Sequence, residues 1–195
     1  MKNRILIIDG HPDADGSHFV HELADYYRQG AKEGGHEVRI LKVGALRFPL
    51  LRNGRAYLSG KLPASIAAAQ KLVLWADHVV VLYPLWLGTL PAKLKGFLEQ
   101  LLRPGFAFEK RGAGQPPKRL LKGRSARIIV TRGMPEFFGE VDRSPRSIRN
   151  VTADVLEVCG VRPVRVTVID GPEVLTDVER EKIHYDMRRL GALAR

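Results

Sequence analysis

The run Arg4-Ile-Leu-Ile-Ile-Asp9 breaks off sharply at Gly10-His11-Pro12, and the same punctuation recurs along the chain. An apolar run without alternation is the pattern of a strand buried on both faces. Longer stretches with three-to-four-residue spacing separate such runs. Ser17 is expected to cap a helix carrying Val20, Leu23, Ala24 and Tyr27 on one face and ending at Gly34-Gly35. A second strand is expected over His36 to Val43, a helix over Ala64 to Trp75, and a buried strand over Asp77 to Tyr83 that Pro84 stops. Pro91 opens a helix over Ala92 to Leu102, and Ala126 to Thr131 reads as a fourth strand. Ser144 to Cys159 reads as a helix, Arg162 to Asp170 as a fifth strand and Thr176 to Leu190 as a closing helix. The segment Leu46 to Leu62 shows no period. Strands alternating with helices imply an α/β fold with right-handed crossovers and a parallel sheet covered on both faces.

At 195 residues with 45% hydrophobic and 27% charged side chains, the chain can build one core, so residues 1–195 are expected to form one domain. A Gly/Pro-rich excursion at about 103–125 interrupts it, with basic residues from Lys110 to Arg124. Lys and Arg number 32 against 21 Asp and Glu, a net charge of +11, which suits an anionic partner or equally a set of solvated basic faces. A single cysteine, Cys159, allows no internal disulfide, and no apolar run reaches the length of a signal core or a membrane span. The expectation is a cytoplasmic protein in a reducing compartment, in which the sequon Asn150-Val-Thr152 is idle.

In a doubly wound sheet, ligands gather beyond the strands' C-terminal ends, which directs attention to the loops at 10–17, 84–90 and 131–140. The first joins a strand to a helix whose leading N–H groups lack internal partners, which makes an anion site, although a serine there often does no more than cap. His18 and His21 stand three apart, but no third ligand is evident and no metal is expected. Gly54 to Lys61 lacks the spacing and the Ser or Thr of a phosphate-binding P-loop. No G-x-G-x-x-G follows the first strand, and no G-x-S-x-G is present.

The most specific segment is Tyr83-Pro-Leu-Trp-Leu-Gly-Thr-Leu-Pro-Ala-Lys-Leu-Lys-Gly-Phe97, followed by Pro104-Gly-Phe-Ala-Phe108. With His11-Pro12, Ser17-His18 and Thr131-Arg-Gly133, it resembles the NAD(P)H:quinone oxidoreductase (DT-diaphorase-like) family of flavodoxin-like flavoproteins over essentially the whole chain. The resemblance implies a flavodoxin-like three-layer sandwich with strand order 2-1-3-4-5 and a homodimer. It also implies flavin bound across the strand ends, with NAD(P)H as hydride donor and a quinone or similar small electrophile as acceptor, in ping-pong turnover. His11, Ser17, His18 and Phe19 match the loop that holds the flavin phosphate and ribityl chain. Pro84, Leu85, Trp86, Leu87 and Gly88 match the loop beside the isoalloxazine, and Thr131, Arg132 and Gly133 the loop at its pyrimidine edge. Phe106 and Phe108 match the aromatic wall over the substrate.

The flavin carries the chemistry, so no side chain is assigned a catalytic role. The short tail after the last helix favours FMN over FAD. Trp86-Leu87-Gly88 stands where better-known members read Gln-Trp-Phe, and Thr131-Arg132-Gly133-Met134 where they read Thr-Thr-Gly-Gly. Arg132 either stabilises charge on a reduced flavin or lies in solvent. The family's Tyr and His pair has no match, since Phe137 and Phe138 stand nearby. The alternative to an enzyme is a regulatory flavoprotein subunit of a membrane transport system with low turnover. A nucleic-acid module built on residues 110–124 is disfavoured, because that stretch lacks interleaved aromatics.

Overall fold

A computed structural model describes residues 2–112, 114–133 and 154–195. Strands β1 (Arg4–Asp9), β2 (Glu37–Lys42), β3 (His78–Leu85), β6 (Ser125–Arg132) and β7 (Val164–Asp170) form one parallel sheet in the order β2-β1-β3-β6-β7. Since β4 (Phe108–Glu109) and β5 (Lys118–Arg119) form a separate two-stranded hairpin, this is the expected 2-1-3-4-5 order. The run in β1 serves both faces. Ile5 and Ile7 pack with Val20, Leu23, Tyr27 and Met187 beneath helices α1 (Phe19–Glu33) and α6 (Asp177–Ala192). Leu6 and Ile8 pack with Ile66, Val73, Leu94 and Phe97 on the other face, beneath α3 (Ala64–Trp75) and α4 (Ala92–Leu101). Period-two geometry turns an unbroken apolar run into two cores.

Gly30 and Gly191 let α1 and α6 touch backbone to backbone, because a Cβ at either would fall inside the other helix. A capping box at Thr176 and Glu179 starts α6. A short helix α2 (Gly54–Ser59), capped by Asn53, occupies part of the segment without a period. It buries no side chain, so it leaves no apolar stripe in the sequence.

Two expectations need correction. Pro84 does not stop β3, which continues to Leu85 with Pro84 in register with Thr131. The Leu82 carbonyl faces β1 and accepts from Gly10 N at 2.7 Å, so Pro84, two residues on, turns its missing N–H toward a side where β1 has already ended. Ser17 is not the cap of α1. That position belongs to His18, whose side chain makes no capping bond, and Ser17 is exposed. The basic excursion is tethered at both ends: Ala107 and Leu121 are buried, and the Arg124 guanidinium donates to the Val73 and Leu74 carbonyls at the end of α3. Residues 154–159 are helical and are labelled α5. The start of the helix expected over Ser144 to Cys159, and Phe137 and Phe138 with the rest of the 131–140 loop, lie outside the described residues. Among the described residues no helix is long and apolar enough to cross a membrane.

Candidate active site

The chain runs from β1 to β2 on one side and to β3 on the other, so the sheet has its topological switch at β1, where a crevice opens beyond the strand ends. Asp9, the last residue of β1, is buried and organises the loop that follows. One carboxylate oxygen accepts from His11 N at 3.1 Å, and the other meets His21 Nδ1 at 2.5 Å. Asp13 supplies the second fixed point, its carbonyl 3.0 Å from His11 Nδ1 and its carboxylate 3.0 Å from His18 Nε2. The result is a cluster of three imidazoles: His11 stacks on His18 with centroids 3.8 Å apart, and His21 stands edge-on to both at 5.3 Å. Burial lowers the His11 pKa, against the Asp13 backbone hydrogen bond that raises it, and the neighbouring imidazoles add to the lowering. Because His18 turns to Asp13, no side chain caps α1, and its first-turn amides face the loop without a side-chain acceptor.

After β3, Trp86 and Thr89 exchange two backbone hydrogen bonds, at 2.9 and 3.0 Å, around Leu87 (φ 49°) and Gly88 (φ 75°). Two central residues at positive φ mark a tight turn of type I′. Leucine is a poor residue there, and its side chain is 81% exposed. Among the described residues the Leu87 and Gly88 amides have no acceptor, so the turn offers two N–H groups at its tip. The Trp86 ring, half exposed, stands edge-on to His11 at 6.0 Å and joins the two loops.

At the end of β6, Thr131 is buried, Gly133 is exposed, and Arg132 Nε donates to Asp170 Oδ1 at 2.6 Å. The hydrogen bond to Asp170 raises the Arg132 pKa and holds the guanidinium against the end of β7, an arrangement that neither expectation for Arg132 included. The Phe19 ring turns toward α6, with the Arg180 guanidinium 4.9 Å above it, so Phe19 has only its amide to offer the loop. Phe106 and Phe108 both pack on the α3/α4 core. Phe108 also lines a cavity of about 680 Å³ with Tyr57, Leu98, Leu102, Val158 and Cys159, to which none of the described residues of the three loops contributes.

The structure thus gathers His11, His18, Trp86, Leu87 and Gly88 at the β1/β3 crevice. Asp9, Asp13 and His21 were not singled out from the sequence as its supports. The signal for His21 was its spacing from His18, but only the fold brings His11 to them.

A family model described as the flavodoxin-like fold matches residues 3–190. The chain belongs to that family. It is 30% identical over 183 residues to an uncharacterized NAD(P)H oxidoreductase of Haemophilus influenzae, an alignment covering 90% of this chain and 88% of the relative. It is 29% identical over 119 residues to FMN-dependent NADH:quinone oxidoreductase 1 of Bacillus subtilis, covering 61% of this chain and only 56% of that protein. A solved structure of NAD(P)H:quinone oxidoreductase from Methanothermobacter marburgensis shares the fold with a TM-score of 0.78 at 24% identity, over 98% of this chain and 96% of the other.

Proposed function

We propose that this protein is a flavin-dependent NAD(P)H oxidoreductase, with FMN as its flavin and a quinone or similar electrophile as acceptor. The observation that carries the reading is the pairing, across the β1/β3 crevice, of an uncapped helix start ringed by imidazoles with a turn that presents two unengaged amides. The donor set fits a phosphorylated flavin: amides at a helix start and imidazole N–H groups suit a phosphate, and amides with an adjacent indole suit a flat, polar-edged ring. His11, Ser17, His18 and the Phe19 amide would hold the phosphate and ribityl chain. Pro84, Leu85, Trp86, Leu87 and Gly88 would run beside the ring, with Thr131, Arg132 and Gly133 at its pyrimidine edge. The names of the Haemophilus and Bacillus relatives support the redox class, and the latter names FMN. Bound there, the flavin would supply two-electron chemistry, taking hydride from NAD(P)H and passing it to the acceptor.

The chain's own residues bind and orient. Asp9 and Asp13 fix the imidazoles, and burial disfavours the charged form of His11. Asp170 holds the Arg132 guanidinium against the end of β7 as an ion pair.

We further propose one flavin-binding domain acting as a cytoplasmic homodimer, in keeping with the family resemblance and with a chain whose only cysteine is buried. The apolar cavity beside α4, with Val155 and Val158 exposed on its rim, suits a second copy, whose approach would bring Phe106 and Phe108 toward the partner's substrate. The transport-subunit reading draws no support from the relatives' names.

The test is to denature freshly purified protein, identify any released chromophore by chromatography, and follow bleaching of the native protein by NADH and NADPH. Release of FMN, with bleaching by either nucleotide, is expected. A colourless protein that neither FMN nor FAD reconstitutes would overturn the assignment.

A further inference from the structure

His21 is the member of the imidazole cluster that a phosphate loop does not require. Its Nδ1 is engaged by the buried Asp9 carboxylate, and its Nε2 is buried with no hydrogen-bond partner. A bare buried ring nitrogen is costly, and an Asp9–His21 pair alone explains only the engaged side of the ring. His11 repeats the arrangement, with Nδ1 beside the Asp13 carbonyl and Nε2 left over. A carbonyl or carboxylate on one imidazole nitrogen, with the other left bare, is how metal-ligating histidines are oriented. His18 completes a set of three whose ligand nitrogens all lie within 4.8 Å of one another. Its side chain is about one-third exposed, bonded to Asp13 and stacked on His11, so the ring must leave that stack and turn to direct a nitrogen at a shared cation.

The geometry points to a three-imidazole site for one divalent transition cation of the zinc class, formed by His11, His18 and His21 in the flavin-free protein. Three neutral nitrogen ligands with a fourth position open suit Zn²⁺, Co²⁺, Ni²⁺ or Cu²⁺, whereas Mg²⁺ and Ca²⁺ require oxygen ligands that the cluster lacks.

The test is a Co²⁺ titration of the full chain after removal of flavin, read by visible absorption and by bound metal after desalting. One Co²⁺ per chain with the absorption of a four-coordinate site is expected. His21→Gln and His18→Gln should each weaken binding at least tenfold, while His184→Gln, on α6, should not. Circular dichroism of each variant verifies folding. Binding to the unaltered chain no tighter than to His21→Gln would overturn the metal site. If FMN fails to bind at all while Co²⁺ binds through the three histidines, the flavin reading fails and the metal site stands.

Discussion

The two ends of the same sheet engage their polar groups to different degrees. At the N-terminal end, Arg4 donates three hydrogen bonds to the Asp77 carboxylate, at 2.7 to 3.1 Å. His36 bridges Asn3 N and the Ala192 carbonyl, and His78 Nδ1 meets Ser125 Oγ at 2.8 Å. The donors of Arg4 and Asn3 find acceptors there within the fold, and only the buried His78 Nε2 among these groups has no partner. At the C-terminal end, the same strands deliver an uncapped helix start, two amides on a strained turn and a buried imidazole nitrogen with no partner. One end closes the structure, and the other leaves hydrogen-bonding capacity for something outside it. Parallel strands enforce this division, because all their C-terminal loops emerge on one side.

The largest effect is expected from an acid placed in the open end. Ser17→Glu sets a carboxylate against the phosphate and should weaken FMN binding roughly a thousandfold, the ~4 kcal/mol of two unit charges 4 Å apart at an effective dielectric constant of 20. Because Ser17 is exposed and caps nothing, the melting temperature of the flavin-free protein should not move. Flavin retained on purification would remove this loop from the site.

His78 tests the closed end. Burial pushes its pKa down to about 4 from 6.5, with Arg127 and Arg165 adding to the shift. Above pH 6.5 the ring is neutral both folded and unfolded. As pH falls from 6.5 to 4, the unfolded chain takes up a proton that the folded one refuses, and stability falls by roughly 3 kcal/mol. His78→Asn retains a partner for Ser125 and should flatten this slope in urea denaturation midpoints between pH 7 and 4.5. An unchanged slope would contradict the assignment.

Leu87→Gly should relieve the positive φ and raise stability by up to about 1 kcal/mol in thermal melts, less what glycine adds to the unfolded chain's entropy. A lower melting temperature would mean that the exposed leucine makes a contact worth more than the strain. The smallest effect is expected for Arg4→Ala, since that ion pair is exposed despite its good geometry. Any change in midpoint should disappear in 0.5 M salt.

Much of the closed scaffold was legible in the sequence because burial on two faces writes a strong pattern: β1 and α3 lie where the apolar runs put them, and Gly34 ends α1. The open end was legible only as a location. Leu87 at positive φ contradicts its own propensity, so no local rule announces the turn that it forms with Gly88. Ser17 reads as a cap from composition, but Asp13 draws the His18 ring aside and leaves the helix uncapped. His11 and His21 lie ten residues apart and meet through Asp9, a contact set by where β1 ends against β3. Pro84 reads as a strand end because the register of its neighbour is invisible in sequence.

In the function proposed above, the open end of the sheet recognises a flavin through its phosphate at the loop after β1. Trp75→Phe leaves Trp86, beside His11, as the sole tryptophan reporter in the flavin-free protein. Titrating that variant with FMN and with riboflavin, and following fluorescence quenching, measures the phosphate's contribution directly. FMN should bind at least a hundredfold more tightly than riboflavin, and equal affinities for the two would contradict the account.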